Sequence, residues 1–313
     1  MAFKKALFVN LNESKLDKEY WNKLDSMIEK MVFLPKDSPQ IITELKDADC
    51  LLVGFATPVT KEHINAAPNL KYIGTLAIAY HKIDVEHARK KEIPVTNIGG
   101  YCTESVAELI ISVILNEIRK LNEERERAKN KNYDFIESAS EIKDKTFGIF
   151  GLGNIGARTA ELAKCFGANV VYWSKNRKEY LEKNGIKYED KDKILRNADF
   201  ISMNFAHTPQ TDKFLDEEAF SKIKSGAIIV NTVPMEVVDI KALEKRLKKK
   251  DITFILDHSD EMKQKDLDLL QKYNNCIIYP PIGISKEARI NKQKIFVDNI
   301  KNFLAKNQTN VVN

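Results

Sequence analysis

Short apolar runs rich in β-branched and aromatic residues alternate with amphipathic stretches almost from end to end of this chain, and that alternation constrains its fold more than any other feature. A strand that returns parallel to its neighbour needs a crossover long enough for a helix, so the pattern predicts parallel sheets wound with helices. In the first third the strand candidates are 6–11, 50–54, 71–75 and 93–95, with helical spacing at 17–30 and 84–91. A second series follows at 147–151, 169–174, 200–205, 227–232, 253–257 and 276–279, each run separated from the next by helix-like sequence. Between the two series, 104–128 reads as one long helix with Val106, Leu109, Ile110, Val113, Ile114 and Leu121 on its apolar stripe; 286–305 reads as a closing helix that crosses back onto the first domain. The fold class is therefore α/β, and 313 residues are enough for two doubly wound domains with a cleft between them.

One junction in the second series carries chemistry. Gly151-Leu152-Gly153-Asn154-Ile155-Gly156 ends the strand candidate and opens the helical pattern 157–166. A bare Gly-x-Gly-x-x-Gly says little, but one placed between strand and helix meets the needs of a dinucleotide site. Gly151 permits the tight turn, Gly153 lets the backbone approach a pyrophosphate, and Gly156 lets helix and strand pack closely, while the helix start at Asn154 and Ile155 presents free amides. The reading is two Rossmann-like domains: 100–285 as the dinucleotide-binding domain, and 1–99 with 286–313 as a flavodoxin-like substrate domain. At the end of the next strand, where a carboxylate would hold the ribose hydroxyls of NAD, stand Ser174, Lys175, Asn176 and Arg177. A hydroxyl followed by two cations suits a 2′-phosphate, which predicts NADP with NAD still possible. The same two cations also suit a plain exposed turn.

Composition removes several function classes. The 50 basic and 45 acidic side chains are mixed along the chain, and the dense run 246–250 ends a helical pattern where cations match the helix dipole, so no nucleic-acid partner is expected. No apolar run approaches the ~18 to 20 residues of a membrane span. Residues 1–9 read as a first strand rather than a leader, because Asn10, Asn12 and Glu13 follow without a cleavage-like site, which predicts a cytoplasmic protein. Cys50, Cys102, Cys165 and Cys276 stand far apart, so neither a structural metal nor a disulfide framework is expected.

The chain resembles the D-2-hydroxyacid dehydrogenases, the family of glyoxylate reductases and phosphoglycerate dehydrogenase, over nearly its whole length. The likeness rests on 93–101 with Glu104-Ser105-Val106-Ala107-Glu108, on Thr208-Pro209-Gln210-Thr211, on the 227–232 strand ending Val230-Asn231-Thr232, and on Leu256-Asp257. The resemblance implies hydride exchange with a nicotinamide, an Arg that grips the 2-oxo acid, a His that moves the hydroxyl proton and a Glu that tunes that His. It also implies that Thr232 and Asp257 belong to the cofactor site. Asp239 and Gly283 fix the frame, and the three catalytic positions then fall on Pro234, Met262 and Pro281. Where relatives carry Ala-Thr-Gly-Tyr-Asn, this chain has Ala77-Ile78-Ala79-Tyr80-His81.

Replacement chemistry has three candidates. His258 follows Asp257, whose family counterpart contacts the nicotinamide amide; Tyr279 offers a phenol; His207 lies beside the Thr208-Pro209 turn. Ala79, Tyr80, His81 and Tyr101 are candidates for substrate contact. The resulting expectation is an NADP-dependent oxidoreductase acting on an imine or a carbonyl other than a 2-oxo acid, or else a catalytically silent dinucleotide-binding regulator. The apolar stripe of 106–121, with the resemblance, predicts a homodimer.

Overall fold

The structure, a computed structural model, describes residues 2–134 and 138–313. The chain divides into two compact units, Met1–Tyr101 with Lys286–Asn313, and Cys102–Ser285.

In the first unit β1 (Ala6–Val9), β2 (Met31–Leu34), β3 (Cys50–Val53), β4 (Tyr72–Thr75) and β5 (Val95–Thr96) form a parallel sheet of order β2-β1-β3-β4-β5. β1, β3 and β4 are buried throughout, which is why they read as continuous apolar runs. The sequence pattern predicts a helix through 17–30 and no strand at 31–34. The helix is Lys18–Asp25. It stops there because Phe3 N donates to Met27 O and Glu29 N to Phe3 O, so the backbone at 27–29 pairs with the chain start instead of continuing a helical ladder. Helix Lys286–Leu304 supplies Phe296, Val297 and Ile300 to the core formed by Phe3, Phe8, Leu52 and Tyr72.

In the second unit β6 (Thr146–Phe150), β7 (Asn169–Trp173), β8 (Lys187–Tyr188), β9 (Phe200–Met203), β10 (Ile228–Asn231), β11 (Thr253–Leu256) and β12 (Cys276–Ile278) run parallel in the order β12-β11-β10-β9-β6-β7-β8. Six strands were expected. The seventh, β8, is a two-residue edge ladder of Lys187 and Tyr188 against Val171 and Tyr172, too short to produce a period. The chain leaves β6 in one direction and returns on its other side at β9, which makes the β6–β9 junction the switch point where open α/β sheets bind ligands.

The long helix expected over 104–128 is two helices, Thr103–Ile118 and Leu121–Lys129, broken at Lys120, which takes a left-handed conformation. The apolar stripe runs out at that point. Val106, Ile110, Val113 and Ile114 are buried against helix Asn154–Cys165 of the same unit, whereas the second helix buries nothing and Leu121 is 55% exposed. Because the stripe is covered within its own unit, it gives no argument for a second copy.

Candidate functional site

The three glycines of the loop are required for three different reasons. Gly151, at the carboxyl end of β6, has φ of 92°, and a Cβ there would lie 2.8 Å from Asn204 C and Phe205 N. Gly156 sits inside helix Asn154–Cys165, where a Cβ would approach Gly151 O to 2.0 Å. Gly153 has nothing within 4 Å of its absent Cβ, so it keeps open space in front of the backbone. It is also the helix N-cap, without a side-chain cap and without an acidic residue in the first turn, so the amides at Asn154 and Ile155 remain available to an anion.

A cavity of about 560 Å³ opens at this turn, with Trp173, Lys175, Lys178, Asn204 and Phe205 among its walls. Asn204 donates its backbone N–H to Phe150 O at 2.7 Å and its side-chain amide to Ser202 Oγ at 2.8 Å, yet its buried Oδ1 has no partner. A buried acceptor left open beside a glycine loop awaits a donor from a ligand. Open space at Gly153, the uncapped helix start, the aromatic and lysine walls and this acceptor together fit the adenosine and phosphates of a dinucleotide.

At the end of β7 the outcome differs from the sequence expectation in one residue. Lys175, Asn176 and Ser174 line the cavity, and Ser174 Oγ donates to Asn176 O at 2.6 Å. Arg177 is not among the wall residues. Its Nε and Nη2 donate to the two carboxylate oxygens of Glu182, both at 2.7 Å, and its guanidinium lies over the Tyr188 ring. A cation with a carboxylate five residues away at bidentate distance satisfies it first. Lys178 takes the wall position instead.

The carboxyl ends of β10 and β11 meet at a second group of side chains. Thr232 Oγ1 donates to Met203 O at 3.2 Å. Asp257 is buried, its carboxylate accepts the Gly283 N–H, and its Oδ1 has no hydrogen-bond partner. Burial raises its pKa above the ordinary aspartate value, against the opposing pull of His258 and that N–H. His258 Nε2 lies 3.1 Å from Thr232 O. A carbonyl only accepts, so Nε2 carries the proton, and Nδ1 is the nitrogen left to face Glu261 at 3.9 Å. Pro234 caps the short 3-10 turn Met235–Val237, Met262 packs against the main core of this unit, and Pro281 is exposed.

The other candidates have surroundings of their own. His207 Nε2 is 3.1 Å from Asp212 Oδ1 in an exposed turn. The Tyr279 phenol is pushed above its usual pKa by burial and then by Glu117. In the first unit Ala79, Tyr80 and His81 are exposed just beyond β4, in a loop held by Asn97 Nδ2 donating to Ile78 O at 2.8 Å, while Tyr101 packs against that unit's core.

Residues 111–283 match the family model described as "D-isomer specific 2-hydroxyacid dehydrogenase, NAD binding domain". A protein of Staphylococcus aureus strain MRSA252, named as a 2-hydroxyacid dehydrogenase, is 35% identical over 265 residues, covering 83% of this chain and 84% of its own. The chain belongs to the D-isomer specific 2-hydroxyacid dehydrogenase family. Among solved members of this architecture, an acyclic imino acid reductase in complex with NADPH and D-arginine has a TM-score of 0.80 at 27% identity, over 98% of this dehydrogenase-family chain and 100% of its own. The D-lactate dehydrogenase of Aquifex aeolicus, complexed with NAD and lactic acid, has a TM-score of 0.77 at 26% identity, over 96% of each chain. Relative to what its sequence announced, this family member adds Trp173, Lys178, Asn204 and Phe205 to the site. Their common signal was position: all lie at or just beyond the carboxyl ends of β7 and β9, beside the switch point.

Proposed function

We propose that this family member prefers NADP(H) to NAD(H) and transfers hydride to a carbon–nitrogen double bond, or to a carbonyl other than that of a 2-oxo acid. The observation that carries the reading is the occupancy of the three positions where the family pattern has Arg, Glu and His by Pro234, Met262 and Pro281. A ring, a thioether and a second ring supply no carboxylate clamp and no proton. The lysine-lined adenosine cavity supports the choice of NADP, and likeness to an imino acid reductase solved with NADPH supports the choice of acceptor.

The bound dinucleotide would supply the hydride. A protonated imine accepts it at carbon while the π pair of the C–N bond stays on nitrogen, so the amine forms with its protons already in place. Such a reaction needs positioning and exclusion of water from the site, not an imidazole acid. The role left for side chains is to hold the acceptor: Asp257, whose buried Oδ1 has no hydrogen bond and lies 3.8 Å from His258 Nε2, orients an N–H donor beside it, and His258, fixed by Thr232 O, presents Nδ1. Tyr279 and His207 are weaker candidates, one because its phenol is a poorer acid than usual and the other because it is engaged by Asp212.

The test is to follow NADPH oxidation with glyoxylate, pyruvate and an uncharged aldehyde, each alone and with ammonium or methylamine. Turnover should appear with the aldehyde or when an amine is present, and not with a 2-oxo acid alone. Reduction of the 2-oxo acid alone at a kcat of about 10 s⁻¹, an ordinary enzyme rate, sinks the proposal. Tight NADPH binding with no turnover of any acceptor would favour a silent dinucleotide-binding role, a reading that the intact glycine loop beside three replaced positions also allows.

A further inference from the structure

The turn after β7 contains three cations, and their surroundings sort them into two kinds. Arg177 is fully engaged along one edge. Glu182 Oε1 accepts from Arg177 Nε at 2.7 Å and from the Tyr172 hydroxyl at 2.8 Å, and Oε2 accepts from Arg177 Nη2 at 2.7 Å. Tyr172, fully buried, uses the same oxygen to accept the Lys178 N–H at 2.8 Å. The Nε–Nη2 fork of the guanidinium is thus taken by Glu182, and the hydroxyl beside it ties the far end of the turn to the sheet. The carboxylate is anchored as an anion, its pKa held to about 2 first of all by Arg177.

Lys175 and Lys178 are different. Both line the cavity, and among the described residues neither ammonium group has a hydrogen bond or ion pair. A lysine head is a compact point charge on a flexible stem, free to meet an anion that arrives in the cavity.

Resting on the NADP preference put forward above, we infer that Lys175 and Lys178 are the residues that read the 2′-phosphate, and that Arg177 is a positioning residue. Locked with Glu182 and Tyr172, Arg177 holds the 174–178 turn in the shape that presents the two lysines. The consequence is a division of labour: the lysines set the ratio of NADPH to NADH affinity, and the Arg177–Glu182–Tyr172 group sets the affinity for both cofactors together.

Dissociation constants for NADPH and NADH, measured on the full chain through quenching of tryptophan fluorescence, test this directly. Lys178→Met and Lys175→Met should each weaken NADPH by about tenfold, the scale of one lost charge-assisted contact, and leave NADH almost unchanged. Arg177→Met should weaken both cofactors by the same factor, leaving their ratio as in the unmodified protein. Because Arg177→Met strands the Glu182 charge, the double variant Arg177→Met with Glu182→Met is measured beside it, and its ratio should also be unchanged. A selective loss of NADPH in either Arg177 variant overturns the inference, and so does an Arg177→Met protein whose two constants are those of the unmodified chain. If the unmodified protein prefers NADPH and both lysine variants keep that preference, the lysine assignment fails while the NADP reading stands. If the unmodified protein shows no preference for NADPH, the NADP reading itself fails and takes this inference with it.

Discussion

The two ends of the switch-point crevice in the seven-stranded sheet use different materials. At the β6 end the requirements are written in backbone: a left-handed Gly151, a Gly156 with no room for Cβ, and an open approach at Gly153. At the β10–β11 end the resemblance places the family's requirements in side chains, and on the function proposed above those positions hold Pro234, Met262 and Pro281, of which Met262 packs against the core. A backbone requirement is bound to the fold, because losing it breaks strand and helix apart. A side-chain requirement can change while the sheet stays intact. The comparison teaches that dinucleotide binding and the chemistry done with it are separable properties of this architecture.

The largest effect should come from attacking the backbone end. Gly156→Val places a branched side chain where even a Cβ would sit 2.0 Å from Gly151 O, so the variant should lose dinucleotide binding altogether and several kcal/mol of stability. Denaturant titration and cofactor titration check both. Retained binding would show that the loop is far more plastic than its contacts imply.

At the side-chain end the expectation is reversed: large functional change with little structural cost. The unmodified protein should turn over glyoxylate, pyruvate and hydroxypyruvate at least about 100-fold below a competent acid–base catalyst. Pro281→His alone should recover little, since an imidazole without its carboxylate partner or a bound substrate lacks orientation. Pro234→Arg, Met262→Glu and Pro281→His together should give measurable 2-oxo acid reduction. Steady-state kinetics on the single and triple variants decide it.

A smaller effect separates binding from folding at the backbone end itself. Gly153→Ala adds a methyl group to open space, so stability should change by less than about 1 kcal/mol, whereas dinucleotide affinity should fall by about tenfold because the methyl group occupies the ligand's approach.

The smallest expected effect is a pH-dependent one at Asp257. Its carboxyl is raised in the folded chain by burial, so ionising it costs the folded state; that cost is absent below the ordinary aspartate range and fully present at neutral pH. Asp257→Asn should therefore raise Tm by a few degrees at neutral pH, and the gain should vanish as the pH falls below about 4. Hydride transfer should weaken in the same variant. A Tm gain that is flat with pH would mean that ionisation is not its source.

Much of this was legible without coordinates, for reasons that are local. The glycine loop was readable because each glycine answers a constraint imposed within a few residues, and the parallel strands were readable because strands buried on both faces must be apolar throughout. Two edge elements were not: β8 has only two residues, and β2, half-exposed with β1 as its one neighbour, follows a helix that ends because Phe3 pairs with the backbone at 27–29. The apolar spacing of 106–114 does mark a buried face, but Leu121 is exposed, and what buries the face, helix Asn154–Cys165, is more than thirty residues away.

What the sequence by itself determined was the alternation that makes two parallel sheets, the turn that accepts a dinucleotide, and the identities at Pro234, Met262 and Pro281. What only the tertiary structure decided was the assignment of charged and polar groups to partners. Ser174, Lys175, Asn176, Arg177 and Lys178 are a string of candidates in one dimension, and nothing in their order says that Glu182 and the buried hydroxyl of Tyr172 claim Arg177 and the Lys178 amide. Backbone conformation follows from short-range sterics and so is written locally, whereas the partner a charge chooses depends on every group the fold brings within a few ångströms, and that is settled only when the sheet has formed.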